Sequence, residues 1–130
     1  MSTEIELKLS LPLTGVAPLQ RNSLLKSLSI SSPVNHKLYS IYYDTPDLDL
    51  RSRRVALRLR REGRRWTQAV KGGGSVAAGL HQRQEFEVPV LGGQPDLTKI
   101  SNSSLARLFD VRVLREQLRP VFTTEFTRST

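Results

Sequence analysis

The stretch Glu4-Ile5-Glu6-Leu7-Lys8 decides how the rest of the chain is read. Ile5, Leu7 and Leu9 alternate with Glu4, Glu6, Lys8 and Ser10. Strand side chains point to opposite faces with period two, so one face is apolar and the other carries two carboxylates and an amine. A solvated strand face has the same pattern when met once, and repetition separates the two readings. From Arg54 to Arg61, Val55, Leu57 and Leu59 fall on one side and Arg54, Ala56, Arg58 and Arg60 on the other. From Trp66 to Lys71, Trp66, Gln68 and Val70 share a face opposite Thr67, Ala69 and Lys71. From Gln82 to Val90, Gln84, Phe86, Val88 and Val90 oppose Arg83, Glu85 and Glu87. Charge sits on a single side each time.

Between these strands the punctuation is clear. Glu62-Gly63-Arg64 makes a hairpin turn between the Arg54 and Trp66 strands. Val16, Leu19, Leu24, Leu25 and Leu28 predict one amphipathic helix from about Val16 to Ser29, ended by Ser31-Ser32-Pro33. His36 to Asp44 reads as a strand stopped by Thr45-Pro46-Asp47, with Leu48 and Leu50 alternating on the approach to the next strand. Gly72 to Gly79 reads as a flexible loop by composition; no Gly-Lys-Ser or Gly-Lys-Thr follows it, which removes a phosphate-cradling P-loop. Asp96 can cap a short helical turn to about Ile100. Ser103-Ser104 can open a helical stretch to Leu118, interrupted near Asp110, with Leu105, Leu108, Phe109, Val113, Leu114 and Leu118 as its buried stripe. Val121 to Arg128 reads as a final strand.

At 130 residues the chain fits one domain, residues 1–130, of the α+β class. Lys and Arg number 20 against 12 Asp and Glu, a net charge of +8 that calls for an anionic partner. With no cysteine and only His36 and His81, disulfides, thiolate metal sites and a zinc signature are excluded. Met-Ser-Thr leads directly into a charged strand, and no run nears the roughly 18 apolar residues of a membrane span. The expectation is a cytoplasmic protein with no membrane association.

If the sheet curls, the charged faces line a concave polar interior and helices cover the apolar faces. Arg binds phosphoryl oxygens bidentately and Lys as a point charge. Carboxylates on a strand face suit Mg²⁺ or Mn²⁺, hard ions that bridge to substrate phosphates. Together these groups favour a metal-bound polyphosphate, whose hydrolysis needs chiefly positioning and charge stabilisation.

Five motifs in order, Glu4-x-Glu6-x-Lys8, Tyr42-Tyr43-Asp44-Thr45-Pro46, Leu57-Arg58-Leu59-Arg60, Trp66-Thr67-Gln68-Ala69-Val70-Lys71 and Arg83-x-Glu85-x-Glu87, resemble the CYTH domain of the triphosphate tunnel metalloenzymes. The resemblance implies an antiparallel β-barrel forming a tunnel, a divalent cation, and hydrolysis or cyclisation of triphosphate substrates. By that resemblance Glu4 and Glu6 are the metal-binding pair. Lys8, Arg58, Arg60, Lys71 and Arg83 bind triphosphate, and Glu85 and Glu87 are the catalytic acidic pair shaping the metal and water environment. Arg128 is a further basic tunnel residue; strict alternation sets it in register with Phe126, which a bulge could resolve.

Leu80-His81-Gln82-Arg83 with the preceding glycine run is similar to the bacterial inorganic triphosphatases in which a helical CHAD domain follows the tunnel. Class IV adenylate cyclase, acting on ATP, and thiamine triphosphatase compete within the superfamily. Family members continue with further strands beyond the position where this chain stops. The expectation is therefore a partial barrel with an open edge, which two chains could close as a homodimer. Outside catalysis, the same face could serve as a polyphosphate- or nucleotide-binding module. A nucleic-acid binder is disfavoured, because Trp66 falls on the apolar face and acids interrupt the cations.

Overall fold

A computed structural model describes residues 2–77, 80–100 and 103–130. Six strands, β1 (Ser2–Leu7), β2 (Asn35–Asp44), β3 (Val55–Glu62), β4 (Arg65–Ala77), β5 (Leu80–Val90) and β6 (Arg119–Ser129), pair antiparallel in the order β1-β5-β4-β3-β2-β6. Laid flat, such a sheet would hold its outer strands about 24 Å apart. Side chains from all six strands nonetheless line one cavity, so the sheet is curled into the partial antiparallel barrel expected from the sequence.

The apolar alternation of β3 builds the core on the convex face. Val55, Leu57 and Leu59 are fully or almost fully buried together with Val70 from β4, Val90 from β5 and Tyr43 from β2. Each such side chain contributes about 1.5–3 kcal/mol of transfer free energy. The described residues form five short helices, in chain order α1 (Val16–Gln20), α2 (Ser23–Leu28), α3 (Asp49–Ser52), α4 (Ser104–Leu108) and α5 (Val111–Gln117). Of these, α3, α4 and α5 supply Leu50, Leu105 and Leu114 to the core, and a 3₁₀ turn at Leu97–Lys99 adds Leu97. Ser103 and Asp110 cap α4 and α5 by accepting from Ala106 N and Arg112 N. Within their expected stripe, Leu108 and Val113 are exposed instead of buried, because the break at Asp110 rotates the two halves out of phase.

Three further expectations are corrected. The single helix from Val16 to Ser29 is divided: the Asn22 side chain accepts from Leu24 N and Leu25 N and starts α2 afresh. The apolar residues of α1 and α2, Leu19, Leu24, Leu25 and Leu28 among them, remain exposed. Asp49–Ser52 is helical where alternation was read, because the buried Asp44 carboxylate gathers Thr45 N, Leu50 N and Arg51 N around itself. Leu48 and Arg54, with φ of 56° and 57°, bracket that turn in the left-handed region, so Arg54 precedes β3 and does not share its charged face.

The glycine run is strand through Ala77, with Ala78 and Gly79 outside the described residues. Gly72 pairs with Gln84 and Ser75 with Gln82, so Gly73 and Gly74 bulge opposite Arg83. Gly73 has φ +69°, a conformation that favours glycine. No helix among the described residues is long and apolar enough to cross a membrane.

Candidate active site

Antiparallel register sets the charged residues in rows on the concave face. Arg58 lies opposite Tyr42 on β2 and Ala69 on β4, and Ala69 lies opposite Glu87 on β5. Lys71 lies opposite Ala56 and Glu85, and Glu4 opposite Arg83. A cavity of about 480 Å³ collects all ten residues singled out in the sequence. Glu4, Glu6 and Lys8 come from the first strand and its exit; Arg58 and Arg60 from β3; Lys71 from β4; Arg83, Glu85 and Glu87 from β5; Arg128 from β6.

A small residue makes room for long ones: Ala69 stands between Arg58 of β3 and Glu87 of β5. Lys71 Nζ donates to both oxygens of Glu4, at 3.1 and 2.8 Å. Burial pushes the Glu4 carboxyl up, but that hydrogen bond and the charges of Lys71, Arg58 and Lys8 outweigh it and hold the group below its ordinary range. Glu85 moves the other way: burial raises it, Lys71 counteracts, and Glu4 and Glu87 nearby raise it further. Burial, with the charges of Arg58 and Arg128, lowers the Arg60 guanidinium. Arg60 Nε donates to Ser40 Oγ at 2.9 Å, and its guanidinium lies 5.5 Å from the Phe126 ring centroid. Arg58 comes only to 3.9 Å of Glu87. Its Nε, and Oγ1 of Thr124 on β6, are buried polar atoms with no partner among the described residues. Such atoms are costly to leave unpaired, and both belong to residues lining this cavity.

Sequence reasoning missed part of the lining. Phe126 and Arg128 share the concave face, with no bulge between them; the irregularity in this pair of strands lies at Tyr42/Tyr43 instead. Period two had already placed Phe126 beside Arg128, which was the available signal. Tyr42 enters the cavity and stacks on Phe122 at 4.5 Å, whereas Tyr43 turns into the core and donates its hydroxyl to Gly93 O. Trp66 packs against the core, as its strand face implied.

The donor set suits a hard divalent cation, since carboxylate oxygens of Glu4, Glu6, Glu85 and Glu87 all face this cavity. Among the described residues no three acids gather closely enough to enclose an ion. Hard divalent ions can be held by one or two carboxylates together with water and substrate phosphates, so a three-acid cluster is not required.

Comparison with known proteins bears on this arrangement. The CYTH domain family profile matches residues 2–130. An inorganic triphosphatase of Haemophilus influenzae is 34% identical over 131 residues, covering 99% of this chain and 35% of the relative. The chain thus spans about a third of the length of that curated relative. A solved Hippeastrum protein, named for adenylyl cyclase and described as having a dominant triphosphatase activity, superposes with TM-score 0.62 at 16% identity. The match covers 96% of this chain and 63% of the Hippeastrum one, and at that identity it speaks for the fold alone.

Proposed function

The chain belongs to the CYTH domain family, and from that premise we propose that its concave face binds inorganic triphosphate and takes part in its metal-dependent hydrolysis to diphosphate and orthophosphate. Arg58 carries this reading. A buried, unpartnered guanidinium Nε, lining the same cavity as an unpartnered Thr124 hydroxyl, fits an anion with many acceptor oxygens better than it fits an apolar or cationic ligand.

In this reading Arg58, Arg60 and Arg128 hold one end of the phosphate chain, and Lys71, Arg83 and Lys8 the other. Lys71 leaves Glu4 in part when phosphate arrives, which frees a carboxylate as negative charge accumulates in the cavity. Glu4 and Glu6 would hold Mg²⁺ or Mn²⁺, with Glu85 and Glu87 beside it. When bound, the cation supplies charge neutralisation at the phosphoryl oxygens. Glu85, a stronger base than an ordinary glutamate, orients the attacking water and accepts its proton, assisted by Glu87. Water adds to the terminal phosphorus, the bridging P–O bond breaks, and diphosphate leaves against the arginines.

The test combines calorimetric binding of tripolyphosphate with phosphate release in Mg²⁺ or Mn²⁺. Arg58→Ala should weaken binding by about tenfold or more. Glu6→Gln and Glu85→Gln should abolish release while binding persists. Tight binding with no release under either cation would leave a polyphosphate-binding module, and cyclic AMP formed from ATP would replace hydrolysis by cyclisation.

A further inference from the structure

Two aromatic rings on the same face of β6, Phe122 and Phe126, are used differently. Phe122 stacks on Tyr42 with 14° between the ring planes. Phe126 meets cations instead: the Arg60 guanidinium lies 5.5 Å from its centroid and the Arg128 guanidinium 6.0 Å. Both distances are within the reach of a cation–π attraction. Arg128 stands next along the same strand face, but Arg60 belongs to β3, and β2 lies between it and the ring. The row that Arg60 occupies holds Ser40 on β2 and Thr124 on β6, so its side chain crosses β2 over a small buried hydroxyl, to which Arg60 Nε donates at 2.9 Å. The guanidinium is thus held at two points, by Ser40 at Nε and by the Phe126 ring at its end.

Neither arginine is held by an acid. Among the described residues Arg60 and Arg128 form no ion pair, although Glu4, Glu6, Glu85 and Glu87 line the same cavity. A carboxylate fixes a guanidinium by occupying its N–H fork, the donors a phosphoryl group also needs, and has to be displaced before the anion can bind. Lys71 is in that position, with its amine committed to Glu4. An aromatic face attracts the charge through its quadrupole and leaves the in-plane N–H donors free. The ring also acts against repulsion, since the charges of Arg58 and Arg128 both bear on Arg60. A negative ring face shared by two of these three cations offsets part of that repulsion before any anion arrives.

We propose that Phe126 is a positioning residue for the phosphate chain: it holds Arg60 and Arg128 ordered, side by side and with their donors free, so that both meet the anion without giving up a partner. The proposal rests on the triphosphate reading of the central cavity and adds to it a group that makes no bond to the substrate. Two long side chains that would otherwise be ordered at the moment of binding are ordered in the free protein, and the cost of their immobilisation is removed from the binding step.

The test is calorimetric titration of tripolyphosphate without divalent cation, so that nothing turns over. Phe126→Leu keeps an apolar side chain and removes the quadrupole, and it should weaken binding by about five- to tenfold. Phe126→Tyr keeps the ring face and should stay within about twofold of wild type. Phenylalanine analogues of rising fluorine content, incorporated at position 126, keep the shape of the ring while withdrawing negative charge from its face. Affinity should fall stepwise along that series, a gradient that a packing role would not produce, and the series decides the matter even where the leucine variant fails to fold. Equal affinity across the fluorinated series, or a tyrosine variant as weak as the leucine one, overturns the positioning role. Failure of the wild-type chain to bind tripolyphosphate overturns the underlying reading instead, and is distinguishable because it shows before any substitution is made.

Discussion

Lys71 Nζ lies 2.8 and 3.1 Å from the two carboxylate oxygens of Glu4, so an amine on β4 grips a carboxylate on β1 across the full width of β5. Both side chains are mostly withdrawn from water, at 18% and 29% exposure, so the pair counts for more than a solvated surface bridge. It also gives the site a resting arrangement, in which a cation destined for phosphate and an acid destined for metal hold each other.

Opposite effects are expected from removing either partner. Lys71→Met should lower stability in chemical denaturation by about 1–2 kcal/mol, because Glu4 loses its charged donor. The same variant should weaken tripolyphosphate binding. Glu4→Gln should strengthen binding measured without divalent cation, since Lys71 is released and a negative charge is removed. Weakened binding in both variants would mean that the pair is a structural tie and nothing more.

Acid should act on Glu4 and Glu85 with opposite sign. Glu4 is held below its ordinary 4.5, so the unfolded chain takes up protons first; its contribution is present above 4.5 and lost as pH falls through the folded value. Glu85 is raised above 4.5, so the folded chain keeps a proton the unfolded chain releases, and stability declines as pH rises through the window just above 4.5. In denaturation midpoints recorded across pH, Glu4→Gln should flatten the acid limb below 4.5. Glu85→Gln should remove the decline above it and stabilise the chain at neutral pH. The same direction of change in both variants would refute the assignment.

The difference between what alternation predicts and what forms is itself physical. Strands β3, β4 and β5 were legible because Leu57, Leu59 and Val70 on one face and Arg58, Arg60 and Lys71 on the other leave a single register compatible with a buried core. The ten site residues share one cavity for the same reason. Elements decided by local side-chain bonds to backbone were legible only in part: the caps at Asp96 and Ser103 could be read, and two others could not. Asn22 divides a periodic helix, and Asp44 folds its downstream neighbours into α3 although Leu48 and Leu50 mimic a strand. The glycine run looked like a loop because composition ignores partners: β5 offers a ladder that extends β4 through Ala77. Exposure of Leu24 and Leu28 could not be foreseen from periodicity, which reports a face but not what covers it.

Asp44 is the acid on which the turn after β2 depends. The residue is 7% exposed, and its carboxylate accepts from Thr45 N at 2.7 Å, Leu50 N at 2.9 Å and Arg51 N at 3.1 Å. Asp44→Ala should cost about 2–3 kcal/mol, more than an ordinary cap, because several backbone donors lose their acceptor. Asp44→Asn keeps one carbonyl oxygen and should fall between. Chemical denaturation of the three proteins measures the order; an alanine variant as stable as wild type would show that solvent replaces the carboxylate without cost.

Gln68 and Tyr43 anchor one loop from two strands. Gln68, at 1% exposure, accepts from Asp96 N at 2.8 Å and donates to Asp96 O at 3.0 Å, closing a reciprocal pair with the backbone. Tyr43 donates to Gly93 O at 3.0 Å, and Gly93 sits so close to the Trp66 ring that a Cβ there would approach it to 3.2 Å. Gln68→Leu fills the same volume but leaves an N–H and a C=O of Asp96 unpaired, a loss of about 2–3 kcal/mol. Tyr43→Phe removes one hydrogen bond, about 1 kcal/mol. If the loop detaches as a unit, the first substitution already releases what the second would release, and the double variant loses less than the sum. Hydrogen exchange separates this from independent anchors: Gln68→Leu should speed exchange of the Asp96 amide and of its neighbours back to Gly93 together, whereas acceleration confined to Asp96 would mean that Tyr43 holds its end of the loop alone.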